Sequence, residues 1–368
     1  MDYPETLAWI HGTERFGSRL GLDRMRRLLH RLGDPQEKVP FLHVAGTNGK
    51  GSTTTMIASA LTAGGFRTGR FISPYILEFR ERMEIDGEMI PRERLAALAT
   101  RLRPIAEEFK AAGNPPTEFE LVTALGLTWF AEEGCDIAVL EVGLGGRLDA
   151  TNVIPAPLVA VITRIDYDHT AILGDTLAAI AGEKCGIIKP GSTVVCYPGQ
   201  SPEALEVIRR RAAEEGNPLR LPDRGQLAVL ASDLTGSRIR YRGQEVFLPL
   251  AGPHQTLNAA TAMEALGLRG LTAVVGMLRD KDCLPVLRQI APYCRRMIVT
   301  TVPNPRSYTA GEFAALARQV CSDVTVCPDC GEAARLALQT AEGGVLAFGS
   351  LYLASAVRPV LLELLAPQ

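Results

Sequence analysis

Gly46-Thr-Asn-Gly-Lys-Gly-Ser52 stands between an apolar run, Val39–Ala45, and a helical pattern, Ser52–Ala63. That order decides the fold. A buried strand runs into a glycine-rich loop, and the loop opens a helix. Backbone N–H groups freed by the glycines converge on phosphate oxygens, and the helix N-terminus adds a favourable dipole. Lys50 supplies a point charge for the β- and γ-phosphates, and the Ser52 hydroxyl is placed to meet Mg²⁺. The stretch departs from the common phosphate loop in two ways. Two residues rather than four separate the first pair of glycines, and Gly51 stands between Lys50 and Ser52. The reading is a loop for ATP and Mg²⁺, with Asn48, Gly49, Lys50, Gly51 and Ser52 around the nucleotide.

Outward from the loop, short β-rich runs alternate with longer helical patterns, the signature of a doubly wound α/β fold. Strands are expected at Thr68–Ile72, Asp136–Val142, Leu158–Ile165 and Thr193–Tyr197. Helices are expected at Arg92–Ala112, Glu120–Glu133, Thr176–Lys184, Glu203–Glu215 and Gln255–Ala265. Between about 217 and 250 the character changes to two short antiparallel strands, Arg238–Arg242 and Glu245–Leu250. After Gly270 a second α/β unit begins, with strands at Leu271–Val275, Met297–Thr301, Val324–Cys327 and Val345–Phe348. The expected division is a phosphate-loop domain with a mostly parallel sheet over 1–268, carrying a small β insertion near 217–250. A smaller Rossmann-like α/β domain follows over 269–368.

Composition bounds the function. The 368 residues are 46% hydrophobic and 22% charged, with a net charge of -2. That suffices for two cores and lacks the basic excess of a nucleic-acid binder. No apolar run reaches the length of a membrane span, and the acidic start Met1-Asp-Tyr-Pro-Glu5 does not read as a signal peptide, so no membrane partner and a cytoplasmic location are expected. The eight cysteines are scattered rather than framed as disulfides. Cys327-Pro-Asp-Cys330 has no second pair or histidine beside it and reads as two half-buried thiols at a strand end.

His43-Val-Ala-Gly-Thr-Asn-Gly-Lys-Gly-Ser52 resembles the nucleotide loop of the folylpolyglutamate synthase and dihydrofolate synthase branch of the Mur ligases. Further stretches follow in that family's order. They are Ser73-Pro74 with Glu81-Arg-Met-Glu-Ile-Asp-Gly87, Thr117-Glu-Phe-Glu120, Glu141–Asn152, Asp168-His-Thr170, Glu183–Lys189, Gly252–Asn258 and Gly276–Lys281. The resemblance implies an ATP-dependent ligase, commonly a monomer, that joins L-glutamate to dihydropteroate or to the tail of tetrahydrofolate (poly)glutamates. A substrate carboxylate would take the γ-phosphate of ATP, and the glutamate amine would then displace phosphate from the acyl carbon.

It also implies the site. Ser73, Glu141 and His169 are the Mg²⁺ ligands. Lys50, His169 and Lys184 are the catalytic residues, Lys184 as a carbamate. Thr117, Glu118, Phe119, Leu148, Asp149 and Ala150 form the pterin side, and Asn258 reads the nucleotide. Taken without the family, His169 is a strand-end residue, Phe119 a core aromatic, Asn258 equally a helix cap, and Lys184 part of a solvated helix face. Glu141 does end a buried strand, where open α/β sheets place their sites.

Two departures stand out. Tyr75 occupies a position where the family usually has histidine. The family's Trp-Pro-Gly-Arg and Asp-Gly-Ala-His-Asn stretches, between the Asn258 region and Gly276, are absent, and with them an Arg, an Asp and a His on the nucleotide's second side. The C-terminal domain is therefore expected to be internally shortened. The alternatives are another Mur-type amino-acid ligase and a catalytically impaired nucleotide-binding variant.

Overall fold

The computed structural model of the chain describes residues 1–13, 21–267, 271–291, 294–341 and 345–365. It separates into two compact units, Met1–Ala265 and Leu266–Gln368. The chain junction at 268–270 lies outside the described residues.

The first unit opens with two helices that the sequence reading did not assign, α1 (Tyr3–His11) and α2 (Asp23–His30). A capping box between Asp2 and Glu5 starts α1. Then come β1 (Phe41–Ala45), α3 (Lys50–Ala63), β2 (Thr68–Phe71), the hairpin β3 (Met83–Ile85) and β4 (Glu88–Met89), α4 (Arg92–Ala111), α5 (Glu118–Glu132) and β5 (Ile137–Glu141). The unit continues with β6 (Val159–Ile162), α6 (Thr170–Leu173), α7 (Leu177–Lys184), β7 (Thr193–Cys196), α8 (Pro202–Glu214) and β8 (Leu219–Arg220). Eight strands form one sheet in the order β4-β3-β2-β5-β1-β6-β7-β8. It is parallel from β2 to β8, with β3 and β4 as an antiparallel edge.

Register sets the site. Val44 of β1 lies opposite Glu141 of β5 and Val161 of β6, and Phe71 of β2 opposite Leu140. The chain therefore leaves β2, β5, β1 and β6 in one row, bringing the segments after Phe71, Glu141, Ala45 and Ile162 to one edge. Two apolar cores hold that edge rigid. One packs α1, α2, α4 and α5 on β1, β2 and β5, and the other packs α7 and α8 on β6 and β7.

A three-stranded antiparallel sheet follows, β9 (Leu227–Asp233), β10 (Gly236–Tyr241) and β11 (Gln244–Leu248), in the order β11-β10-β9. The sequence suggested only the last two. Leu227-Ala-Val-Leu-Ala-Ser-Asp233 is exposed along nearly its whole length, so it carries no inside–outside alternation to betray a strand. Helix α9 (Pro253–Ala265) ends the unit and packs on α3.

The second unit contains β12 (Leu271–Gly276), α10 (Cys283–Ile290), β13 (Cys294–Val299), α11 (Ala310–Ala317), β14 (Val324–Val326), α12 (Cys330–Thr340), β15 (Val345–Gly349) and α13 (Leu351–Leu365). Its four strands are all parallel, in the order β14-β13-β12-β15. Ala273, Val275, Met297 and Val299 meet α10 and α11 on one face, while Val274 and Ile298 meet α12 and α13 on the other. This is a doubly wound α/β unit.

Candidate functional site

The phosphate loop is built by close approach. Gly46 has φ 152°, and a Cβ there would sit 1.9 Å from Thr163 Oγ1. Gly49 has φ 85°, and a Cβ there would lie 2.6 Å from Asn258 Oδ1. Both positions need glycine on conformation and on space. Thr47 N and Asn48 N donate to Arg164 O at 2.8 and 3.1 Å, tying the loop to the segment after β6. Helix α3 starts at Lys50, two residues earlier than the sequence pattern suggested, so Lys50, Gly51 and Ser52 carry the N–H groups that a helix start leaves unpaired. Lys50 Nζ reaches back to Thr47 O at 3.2 Å. From α9, Gln255 Nε2 donates to Ser52 Oγ at 3.3 Å, and Asn258 Nδ2 donates to Gln255 Oε1 at 3.0 Å. Asn258 is thus packed against the loop.

Replacing Gly46 with Ala forces the new methyl into Thr163. The expected result is a melting temperature lower by roughly 5–10 °C, from a cost of about 2–3 kcal/mol in clash and strain. Scanning calorimetry reads it. Adding Thr163→Ala should recover part of the loss, because it removes the opposing hydroxyl.

Glu141 lies beside the loop and is buried. Its Oε2 accepts from Ser73 N at 3.1 Å, and a Cβ on Gly51 would stand 3.5 Å from the same oxygen. Burial pushes its carboxyl up to about 7, against the pull of the Ser73 N–H and the Lys50 charge. Lys184 is also buried, with Nζ donating to Gly46 O at 2.8 Å. Burial, and then the nearby Lys50 charge, pull it down to about 8. A solvated position for Lys184 does not hold: its neighbour Glu183 turns outward to Arg147 at 2.8 Å, while Lys184 turns inward. His169, in the left-handed region at φ 48°, caps α6 with an exposed ring, its Nε2 3.6 Å from Asp168 Oδ2.

Among the described residues no group of three or more His, Cys, Asp or Glu converges as a metal cage. The donors that do converge are the single carboxylate of Glu141, which has no ion-pair partner among the described residues, and Ser73 held against it. This donor set fits Mg²⁺, which takes one or two protein oxygens and keeps its other positions for phosphate and water.

The wall on the other side of Ser73 is a cavity of about 330 Å³. It brings together Ser73, Thr117, Phe119, Leu148, Asp149 and Ala150 from the sequence-derived set. Glu118 is not among the lining residues; its Oε1 lies 3.5 Å from His11 Nδ1. Thr117 and Glu120 form the capping box that starts α5, so Phe119 is presented from the first turn of a fixed helix. Asp149 is buried, and burial raises its pKa. Its Oδ1 accepts from Thr151 N at 3.0 Å and from Thr151 Oγ1 at 2.5 Å, and its Oδ2 from Leu144 N at 2.8 Å. Thr151 Oγ1 in turn lies 2.8 Å from Nε2 of the fully buried His43, which burial holds neutral with a pKa of about 3. The Asp149 carboxylate is therefore locked in place by β1 before any ligand arrives.

Sequence reasoning missed several of these. Gln255 lies one helical turn before Asn258 on the same face, a spacing that could have flagged it. Thr151 follows Asp149 at Asx-turn spacing. His43 carries no local signal, because its partner Thr151 comes from another element.

Residues 44–266 match the family model described as the Mur ligase middle domain. The chain is similar to the dihydrofolate synthase/folylpolyglutamate synthase of Bacillus subtilis, 42% identical over 271 residues that cover 72% of this chain and 63% of that protein. The chain thus spans less than two thirds of that relative's length. In structure it is similar to the folylpolyglutamate synthase of Thermotoga maritima, with a TM-score of 0.66 and 30% identity over 98% of this chain and 96% of the other. It is also similar to an FPGS–AMPPCP–folate complex, with a TM-score of 0.66 and 30% identity over both full lengths.

Proposed function

The chain belongs to the Mur ligase family, in its dihydrofolate synthase/folylpolyglutamate synthase branch, and from that membership we propose that it joins L-glutamate to dihydropteroate or to the glutamyl tail of tetrahydrofolate (poly)glutamates, with ATP and Mg²⁺. One observation carries the reading. Ser73 lines the cavity, and its backbone N–H holds Glu141, whose carboxylate faces the phosphate loop. Acceptor cavity and phosphate loop share one wall, so a carboxylate leaving the cavity meets the γ-phosphate.

In this reading the loop N–H groups of Asn48–Ser52 cradle the phosphates, and Asn258 with Gln255 closes the nucleotide side. Lys50 leaves Thr47 O and covers the γ-phosphoryl charge as the substrate carboxylate attacks. ADP departs and an acyl phosphate remains. The glutamate amine then attacks the acyl carbon, and phosphate leaves as the amide forms. Ser73 and Glu141 would hold Mg²⁺, with His169 the further ligand that the family resemblance implies, and the ion would neutralise phosphate charge. Lys184 at about 8 is roughly one tenth neutral amine near pH 7. That is the form that adds CO₂, so its carbamylation is part of the proposal.

The pterin ring takes the cavity between Phe119, Leu148, Asp149 and Ala150. Thr151→Val removes one of the three donors that fix Asp149, the hydroxyl that links it to His43. It should raise KM for dihydropteroate about tenfold or more while leaving kcat within a few-fold, whereas Thr151→Ser stays near wild type. Steady-state kinetics on the three proteins check it.

No described helix is long and apolar enough to cross a membrane. A monomer acting in the cytoplasm, without a nucleic-acid partner, completes the proposal. The direct test is incubation with ATP, Mg²⁺, L-glutamate and either dihydropteroate or tetrahydrofolate. Mass spectrometry should show a product one glutamyl residue heavier, in equal amount with ADP. A second reading, nucleotide binding without turnover, is favoured by the absence of the Trp-Pro-Gly-Arg and Asp-Gly-Ala-His-Asn stretches. ATP binding with no amide product from either acceptor would establish it.

A further inference from the structure

Arg82 is the one Lys or Arg among the described residues lining the cavity, and no acceptor is provided for it. Its Nε is buried without a hydrogen-bond partner. The described residues give its guanidinium no ion pair and no side-chain hydrogen bond. The cavity's two carboxylates are already engaged. Glu120 Oε2 accepts from Arg24 Nε at 2.7 Å and from Thr117 N at 2.8 Å, and Asp149 is held by Thr151 and Leu144. What fixes Arg82 is stacking: its guanidinium lies 5.2 Å from the Tyr75 ring centroid and 5.6 Å from that of Phe79. Burial lowers its pKa, with Glu118 opposing through space, yet a guanidinium stays charged at any physiological pH. Leaving a guanidinium unpaired is costly, and although its Nε has no open surface, its terminal N–H groups have no acceptor among the described residues either. The cost makes sense when a ligand supplies the acceptors.

We propose that Arg82 reads the oxidation state of the substrate's pteridine, by donating its planar fork to the adjacent O4 and N5 acceptors of a 7,8-dihydropterin. The inference rests on the function proposed above. The geometry of recognition is general: an Arg fork pairs with a ring carbonyl and the ring nitrogen beside it, as it does with O6 and N7 of guanine. In a 7,8-dihydropterin N5 is an imine nitrogen with a free lone pair, so both acceptors are present. In a 5,6,7,8-tetrahydropterin N5 bears hydrogen, and a second donor meets the guanidinium. Asp149, whose three donors leave one lone pair of its carboxylate open, takes an N–H of the same ring. Arg82 thereby favours dihydropteroate over reduced folate acceptors, and Tyr75 contributes by holding the guanidinium plane.

The test combines a protein arm and a ligand arm. Dissociation constants are measured for dihydropteroate, its 5-deaza analogue, in which C–H replaces N5, and tetrahydrofolate, on wild type, Arg82→Lys and Arg82→Gln of matched melting temperature. Wild type should bind dihydropteroate about ten- to a hundredfold more tightly than the 5-deaza analogue. Arg82→Gln should lose that preference and weaken dihydropteroate far more than tetrahydrofolate, and Arg82→Lys should recover little of the loss. Equal wild-type affinity for dihydropteroate and its 5-deaza analogue overturns the proposal even if the variants do not fold. So does an Arg82→Gln protein that weakens all three ligands alike. A wild type that binds no pterin ligand overturns the ligase reading itself, and this inference with it.

Discussion

Lys50→Met should lower single-turnover ADP formation by about three to four powers of ten, with nucleotide affinity reduced far less. Lys50 is the cation at the first helical turn of α3, and among the described residues its side chain bonds only to Thr47 O. That bond is exchangeable, so the side chain is free to follow charge as it develops on the transferring phosphoryl group. Interactions made more strongly in the transition state than in the bound ground state appear in the rate rather than in the affinity. Phosphoryl transfer depends on such charge compensation, and losing one placed cation there costs roughly 4–5 kcal/mol. Lys50→Arg should not restore the rate, because a planar fork does not replace a compact ammonium between loop and phosphate. The melting temperature should stay close to that of wild type, since one part-buried bond to a carbonyl is all that folding loses. Rapid-quench measurement of ADP checks the rate. A Lys50→Met protein within tenfold of wild type would remove the loop from the chemistry.

Glu141→Gln separates stability from function in the opposite direction. The amide keeps an oxygen to accept from Ser73 N, but it gives up the negative charge. Turnover should fall by about three powers of ten, as expected when the carboxylate beside transferring phosphate is lost. Stability should rise. Burial raises the Glu141 pKa from the ordinary 4.5 to about 7. The folded chain therefore holds this proton more tightly than the unfolded chain does. The carboxyl costs nothing below pH 4.5, and its destabilisation grows as pH rises through 4.5 to 7. Above pH 7 it reaches about 3 kcal/mol in the metal-free protein. At pH 8 the Gln variant should melt higher, and at pH 4 the two should converge. The same proton competes with the metal, so Mg²⁺ affinity of the wild type should fall about tenfold per unit below pH 7 and level off above it. Calorimetric titration at pH 6 and pH 8 reads this. A pH-independent Mg²⁺ affinity would contradict the assignment of Glu141 to the metal.

The strand–loop–helix at Val39–Ala63 was legible because three local signals coincide there: an apolar run, glycines and a helical pattern. The parallel sheet followed from alternation of strand and helix. What stayed hidden was tertiary. Lys184 and Glu183 are adjacent and equally polar in the sequence. Only the packing of α7 on the sheet decides that one turns to Gly46 and the other to Arg147. Asp149 reads as a ligand acceptor, yet three protein donors already hold it, and one of them is itself fixed by a histidine more than a hundred residues away. Arg82 sits inside a recognisable motif, but that it lines the cavity uncompensated depends on Arg24 and Thr117 having claimed Glu120 first. The strand β9 escaped because solvent on both sides removes the pattern by which strands are read.

In the proposed reaction the loop at Gly46–Ser52 activates a carboxylate delivered from the adjoining cavity. Heavy-oxygen label placed in the carboxylate of dihydropteroate tests this most directly, with ATP, Mg²⁺ and L-glutamate present and inorganic phosphate analysed by mass spectrometry. One labelled oxygen should pass into the phosphate for each amide formed, as an acyl phosphate requires. Amide formation that leaves the phosphate unlabelled, or ATP cleavage indifferent to dihydropteroate, would contradict the proposed reaction.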